Sequence, residues 1–497
     1  MEAKTAGGRF DHVSGDRGRR TFTGVLWSMT NAALTTGLTA AVFLVTSRLL
    51  SPGDFGSVAI ATSLVLMAAA VVPLAFGEAL TQRKTLSEAH LNAVYWLCTG
   101  SALLVYGVLL ASSGAIADWF EVEVLRQILP VLGLKLVLDG MVVVPESLVI
   151  RRMAFRVIAL RTALASTIAG AVCIAMALAG FALWALVASQ ILVSAINLAV
   201  TARTAGWRPG LRTAGGGAAL RELRSFGLYS MGSRLIDGAR FDQFLIGALL
   251  GPIALGFYFF AMRINDLLSK FTTQSLSSVF AVALAGAQDD RAESRRIYLH
   301  GTFASAALGF PVFGGLILVA PLAVPLVFGP QWQDAVRVVQ FTAGISLVAS
   351  VGIMQAALIR ASGDAGWWFR YRALSQAAGF ALIVVLAPLD LTAMAAGLLC
   401  RTLLLWPVSV AKTLRLLDFS AAAYARVFAA PLTALGLMAV VVLGLPWVGP
   451  AWSGSALLAA QIVLGGVTYA VSLVLLARAT FRDALALIRR NRGGKPT

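Results

Sequence analysis

The chain has 497 residues, of which 59% are hydrophobic and 13% charged, and its mean hydropathy is +0.83. Ordinary soluble domains carry about 45–50% apolar and roughly 25% charged residues, so this composition excludes a water-soluble fold. The net charge of +17 would suit a nucleic-acid binder if the basic residues shared one soluble face, but they are scattered over short segments between apolar runs, and no nucleic-acid partner is expected.

The apolar runs are continuous rather than alternating, which predicts membrane-crossing helices and not the strands of a barrel. Charged and Gly/Pro-rich breaks divide the chain into about fourteen spans, each near the length that crosses a bilayer. In order they are Phe22–Ser47, Phe55–Thr81, Leu91–Ala115, Val124–Val149, Ile158–Leu178 and Ala182–Ala202. Then come Phe226–Leu250, Ile253–Ala285, Ile297–Ala320, Val336–Ile359, Trp367–Leu386 and Leu391–Ala411, and a last pair, Tyr424–Leu445 and Ser453–Ala477. Arg19-Arg20 ahead of the first run resembles a twin-arginine export signal, but no processing site follows, so an uncleaved first helix is expected.

The expected fold is therefore an all-α polytopic membrane protein. A cytoplasmic tail (1–21) precedes a first six-helix bundle (22–204), a cytoplasmic linker (205–225), a second six-helix bundle (226–415), an extra helix pair (416–478) and a basic tail (479–497). Most of the 40 Lys and Arg residues fall in both tails and in alternate loops, while Arg48, Arg126 and Arg337 mark the other side. The positive-inside rule then puts both termini in the cytoplasm. Cys98, Cys173 and Cys400 lie in apolar runs, where cysteine acts as a small hydrophobe, and His12, His90 and His300 lie in polar segments. Neither a metal site nor any other cofactor is expected from these spacings.

An internal repeat relates the halves. Leu49-Leu50-Ser51-Pro52-Gly53-Asp54-Phe55-Gly56 after the first span matches Leu249-Leu250-Gly251-Pro252-Ile253-Ala254-Leu255-Gly256 after the seventh. Phe155-Arg156 with Ala159-Leu160 likewise matches Phe369-Arg370 with Ala373-Leu374. Since each repeat holds an even number of spans, the two bundles enter the membrane alike and are expected to be related by a pseudo-twofold along its normal.

Four segments carry a family resemblance: Arg48 to Gly56; Leu220-Arg221-Glu222-Leu223-Arg224-Ser225-Phe226-Gly227; Leu255-Gly256-Phe257-Tyr258; and Val327-Phe328-Gly329-Pro330-Gln331-Trp332. In order and spacing they resemble the polysaccharide transporter family of oligosaccharide-lipid flippases, within the multidrug, oligosaccharidyl-lipid and polysaccharide exporter superfamily. The resemblance implies two six-helix bundles, alternating access, and export of undecaprenyl-diphosphate-linked repeat units for exopolysaccharide, capsule or O-antigen across a bacterial cytoplasmic membrane. It also implies polysaccharide polymerase and glycosyltransferases as neighbours in the pathway, with membrane lipids as surroundings.

Ionised groups inside a membrane cost roughly 2.5–3.5 kcal/mol each on insertion scales, so they are expected to face water, a partner or a substrate. Span seven holds Arg234, Asp237, Arg240 and Asp242, and span eight holds Arg263, Asp266 and Lys270. Arg234 lies about 12 Å and Arg263 about 15 Å from the nearer end of its span. Residues 263, 266 and 270 share a helical face, as do Lys135, Asp139 and Glu146 in span four; Glu78 is the main charge of span two. Arg234, Arg240, Arg263 and Lys270 are candidates to bind the diphosphate, and the acidic groups Glu78, Asp139, Asp237, Asp242 and Asp266, with Lys135 beside them, to face sugar hydroxyls or a coupling cation, H+ or Na+. The same spacings also suit ion pairs within a helix, and that alternative stays open here. Gly238, Pro311 and Pro431 are expected to permit bends. Arg151, Arg152, Arg156, Arg221, Arg224, Arg370 and Arg372 are expected mainly to set topology and meet anionic lipid.

The sequence holds no nucleotide-binding GxxxxGK[ST] loop, so the expected activity is secondary transport and not an enzymatic reaction. Alternatives are a lipid II flippase, a multidrug or cation antiporter of the same superfamily, and, from another class, a membrane-embedded polysaccharide polymerase or ligase.

Overall fold

In the computed structural model the described residues are 35–83, 85–210, 216–218, 220–222, 240–287, 290–448 and 452–478. They are helical almost throughout, and among them 12 helices are long and apolar enough to cross a membrane. The first and seventh expected spans begin outside the described residues, as do Arg234, Asp237 and Gly238. The chain divides into two compact units, Met1–Gly256 and Phe257–Thr497.

In the first unit, α1 (residues 35–49) is followed by α2 (Pro52–Val71), α3 (Phe76–Gln82), α4 (Glu88–Phe120), α5 (Leu125–Arg151), α6 (Phe155–Leu178) and α7 (Ala182–Ala205). The Ser-Pro-Gly-Asp motif has a local explanation. The Ser51 side chain accepts from the Asp54 amide at 3.1 Å, and Asp54 accepts from the Ser51 amide at 3.0 Å. With Pro52 at the first helical position, this capping box fixes where α2 begins. Helix α5 is central, packing on α2, α3, α4 and α7, with Val143, Val144 and Leu148 buried against Phe76, Leu80 and Leu91.

The expected span Phe55–Thr81 is not one helix. It breaks at Val72–Leu74, where Val72 is extended (ψ 132°) and Pro73 has no amide to donate; α3 restarts at Phe76. The freed Pro73 carbonyl accepts from the buried thiol of Cys98 at 3.3 Å.

Helix α8 (Phe241–Gly286) kinks at Gly251, whose φ of 80° and ψ of 178° suit a residue without a Cβ, and resumes at Pro252. Its first residues, through Gly256, belong to the first unit. There the two repeat motifs meet. A Cβ on Gly56 would lie 1.7 Å from the Pro252 carbonyl oxygen, and one on Gly256 would lie 1.9 Å from the Pro52 carbonyl oxygen.

The second unit continues α8 and adds α9 (Arg291–Gly309), α10 (Gly315–Phe328), α11 (Val336–Ala361), α12 (Ala365–Leu386), α13 (Leu391–Leu417), α14 (Ala421–Val448) and α15 (Gly454–Leu476). Helices α9 and α10 run on through a π-helical turn, Phe310–Gly314, that contains Pro311, a local departure from the α-helical ladder. Trp332 is fully buried, stacked on Phe260 at 4.0 Å between ring centroids and edge-on to Phe257 at 6.2 Å. The Leu255–Tyr258 and Val327–Trp332 motifs are thus halves of one packing contact. The extra pair, α14 and α15, packs on α9 and α10, burying Tyr424, Phe428, Met438 and Tyr469.

Candidate functional site: a charged cavity in the first unit

A polar cavity of about 410 Å³ opens among α3, α5, α6 and α7, and its walls include Glu78, Gln82, Asp139, Glu146, Arg161 and Asn197. Three features of the chain build it. The break at Pro73 turns α3 so that Glu78 and Gln82 reach the cavity; irregular backbone at membrane depth is tolerated where it lines such a space. Gly77 lets α3 approach α5, since a Cβ there would lie 2.9 Å from Val143 Cγ1, and Ser147 Oγ donates to the Gly77 carbonyl at 2.9 Å. Asp139 and Glu146 are seven residues apart on α5, two turns of helix, so both look to the same side.

The end of α3 is held by Arg151. Its side chain is 1% exposed and donates to the carbonyls of Leu80 at 3.0 Å and Thr81 at 3.2 Å, and also to that of Arg83. These are the carbonyls that a helix C-terminus leaves without partners. Arg151 is therefore an internal cap, not the surface lipid contact its loop position suggests; burial was invisible in the sequence.

Two ion pairs cross or border the cavity. Lys135 Nζ meets Asp139 Oδ2 at 2.7 Å and donates to Ser194 Oγ on α7 at 2.9 Å. Arg161, on α6, meets Glu146 Oε1 at 2.9 Å and donates to Thr201 on α7 at 2.8 Å. Internal pairing, one of the two readings of these spacings, is what the geometry shows for Lys135 and Asp139. The pairs leave acceptor capacity in the walls: the buried Asn197 Oδ1 has no hydrogen-bond partner within the protein, and neither has Arg161 Nε among donors. Carboxylate, amide and hydroxyl groups together make a surface that can exchange hydrogen bonds with a polyhydroxylated guest.

Arg161 and Asn197 were not among the expected site residues. The signal existed for Arg161, a cation inside the apolar run Ile158–Leu178; its closeness to the start of that run let it pass for a loop residue. Asn197 carries no charge and shows no such signal.

Residues 45–337 match a family of polysaccharide biosynthesis proteins. The chain belongs to that family. Relatives include the lipopolysaccharide biosynthesis protein WzxC of Escherichia coli (strain K12), 25% identical over 67% of this chain and 68% of that one. The succinoglycan biosynthesis transport protein ExoT of Rhizobium meliloti (strain 1021) is 24% identical over 70% and 71%. The teichuronic acid biosynthesis protein TuaB of Bacillus subtilis (strain 168) is 26% identical over 57% of this chain, which spans 58% of TuaB. The fold is shared with the lipid II flippase MurJ, at TM-score 0.69 over 93% of this chain and all of that one with 10% identity. A multidrug MATE transporter follows at TM-score 0.60, covering 78% and 96% with 15% identity.

Within this member of the polysaccharide biosynthesis family the remaining expected residues divide between the units. Arg240 and Asp242 are half-buried at the start of α8, in the first unit. Arg263 and Asp266 are half-buried and Lys270 is exposed on the continuation of α8 in the second unit. One turn of α8 also carries a neutral anchor, Asn265, which donates to Thr342 on α11 at 2.9 Å. The structure brings Glu78 and Asp139 to one cavity, with Lys135 paired to the latter.

Proposed function

We propose that the protein is a secondary transporter that flips undecaprenyl-diphosphate-linked oligosaccharide units from the cytoplasmic to the periplasmic leaflet of a bacterial cytoplasmic membrane, for exopolysaccharide, capsule or O-antigen synthesis, with both termini cytoplasmic. The observation that carries this reading is a charge-lined cavity of about 410 Å³ among membrane-spanning helices in a chain of this family. Intramembrane charge on this scale is costly and marks a substrate or ion path. The names of the relatives, which speak of lipopolysaccharide biosynthesis and of succinoglycan biosynthesis transport, support the same cargo class.

In this account Glu78, Asp139 and Glu146 exchange hydrogen bonds with sugar hydroxyls, and Arg234, Arg240, Arg263 and Lys270 take the diphosphate. Access then alternates between the two sides of the membrane while the cargo's polyprenyl tail stays in lipid. A diphosphate diester carries about two negative charges, and an interior-negative potential favours outward movement of each by about 2.3 kcal/mol per 100 mV. H+ or Na+ as a counter-ion would change that sum. Export assayed in cells lacking the native gene tests the reading: Arg263→Ala and Arg234→Ala are expected to abolish polymer export at normal protein level, and full export by both variants would overturn the assignment.

A lipid II flippase is the second reading, favoured by the likeness in fold to MurJ. Rescue of a strain depleted of its own lipid II flippase would select it over polysaccharide export.

A further inference from the structure

A second cavity lies in the other unit, and none of its lining residues is among those assigned to transport. It measures about 460 Å³ and is walled by Leu299, His300 and Phe303 of α9, Arg426, Ala430 and Thr433 of α14, and the end of α15. Apart from His300, Arg426 and Thr433 its walls are apolar, and among the described residues no carboxylate lines it. Among the described residues the Arg426 side chain has neither an ion pair nor a hydrogen bond. A guanidinium near the end of a membrane helix that has no protein partner is left to water, a lipid headgroup or another anion.

The position along the helices is informative. Arg426 lies about 8 Å from the start of α14, a helix roughly 42 Å long, and therefore about 13 Å from its midpoint. That is near the edge of a hydrocarbon core about 30 Å thick, the depth of lipid phosphates. The lining residue Leu476 is 52% exposed, an apolar surface at the cavity. His300 Nδ1 is 2.7 Å from the Arg296 carbonyl, so that nitrogen carries the hydrogen and Nε2 is left as an acceptor. A guanidinium for a phosphate, an imidazole nitrogen for a headgroup hydroxyl and apolar walls for acyl chains make a complementary set.

We propose that the cavity between α9, α14 and α15 binds the headgroup of an anionic bilayer phospholipid of the phosphatidylglycerol type, with Arg426 on the phosphate and His300 on the glycerol hydroxyls. The site is independent of the cargo path and holds whichever polymer the protein exports. Its function is to fix the extra helix pair against α9 in membranes rich in such lipid.

Native mass spectrometry of the full-length protein in detergent, titrated separately with phosphatidylglycerol, phosphatidylethanolamine and undecaprenyl phosphate, tests the proposal. Phosphatidylglycerol is expected to be retained over phosphatidylethanolamine, and Arg426→Gln to weaken its retention about tenfold or more, as loss of a charge-assisted hydrogen bond should. Arg426→Lys retains most of the binding, Thr433→Trp fills the cavity and removes it, and Arg337→Gln, at an exposed basic residue of the same unit, leaves it unchanged. Because Arg426 is exposed, the Gln variant keeps its fold, checked by its melting temperature. Equal retention by native protein and Arg426→Gln overturns the site. Preferential, Arg426-dependent retention of undecaprenyl phosphate overturns the assigned ligand and transfers the cavity to the cargo.

Discussion

Gly56 and Pro252 touch backbone to backbone, with room for no Cβ between them: the added atom would lie 1.7 Å from the proline carbonyl oxygen. The relation is reciprocal, since Gly256 stands in the same way against Pro52 at 1.9 Å. Helix starts cross closely where small residues let them, the usual means of association in lipid. Gly56→Ala or Gly256→Ala must therefore push the two starts apart, at a cost of about 1–3 kcal/mol for overpacking. Gly53 is the control, because its Cβ would meet only ordinary contacts at 3.7 and 3.9 Å. Thermal unfolding in detergent should show a lower melting temperature for the first two variants and little change for Gly53→Ala; equal melting of all three would contradict the contact.

Arg151 serves the carbonyls at the end of α3 from a fully buried position. Arg151→Met keeps much of the volume but strands those acceptors, each worth about 1–3 kcal/mol when left unsatisfied. We expect a loss of several-fold in yield of folded protein and a clear drop in melting temperature. Arg370→Ala, at an exposed position, should change stability by less than about 0.5 kcal/mol. Similar melting of the two variants would remove Arg151 from its capping role.

The linker after α7 is pinned to the N-terminal end of α4 and the segment before it. Trp96 Nε1 donates to the Gly210 carbonyl at 2.9 Å, Asn92 accepts from the Gly210 amide at 2.9 Å, and Glu222 pairs with Arg83 and approaches His90 at 3.5 Å. The hydrogen bond from Arg83, followed by that from His90, holds the Glu222 carboxyl below its ordinary value of 4.5. A carboxylate depressed in the folded state contributes its stabilisation above the ordinary value and loses it as pH falls through the lowered one. Docking is therefore complete at pH 7 and loosens below about pH 4.5. A spin label placed at the exposed Ala218 should become more mobile over that acid range, and Glu222→Gln should already show the mobile spectrum at pH 7. A spectrum indifferent to both changes would sink the latch.

Glu146 and Arg161 form a pair whose cation is 9% exposed and whose carboxylate is 36% exposed. Removing one partner leaves a charge in a poorly solvated place, whereas removing both does not. Arg161→Met should destabilise by more than the double variant Arg161→Met with Glu146→Gln, and export by the double variant then reports whether these groups also meet cargo. Additive losses in a double-mutant cycle would show that the pair is not coupled.

Much of the fold was legible because membrane helices announce themselves by length and apolarity: the expected Leu91–Ala115 and Ile158–Leu178 are the cores of Glu88–Phe120 and Phe155–Leu178. The repeat motifs were legible as strings, but only the structure shows that Ser51 and Asp54 cap α2 and that Gly56 and Gly256 meet the opposite prolines. Pro73 was a poor guide, since proline inside an apolar run is as often tolerated as disruptive; here it breaks the helix and aims Glu78. Charge in mid-span singled out Glu78 and Asp139, which line the cavity, and Lys135, which pairs with Asp139. Arg151 and Arg161, near helix ends, could not be told from topology signals without knowing which side chains are buried. Neutral Asn197 gave no sign at all.

The central claim is that the charged chamber carries a polar headgroup through the membrane. Leaflet exchange of a fluorescent undecaprenyl-diphosphate-linked oligosaccharide, measured in proteoliposomes holding the purified protein under an interior-negative potential, tests it most directly. The native protein should exchange the lipid well above empty vesicles, and Asp139→Leu together with Glu78→Leu should bring the rate back toward theirs with the protein still folded. Exchange by the double variant at the native rate would contradict the claim.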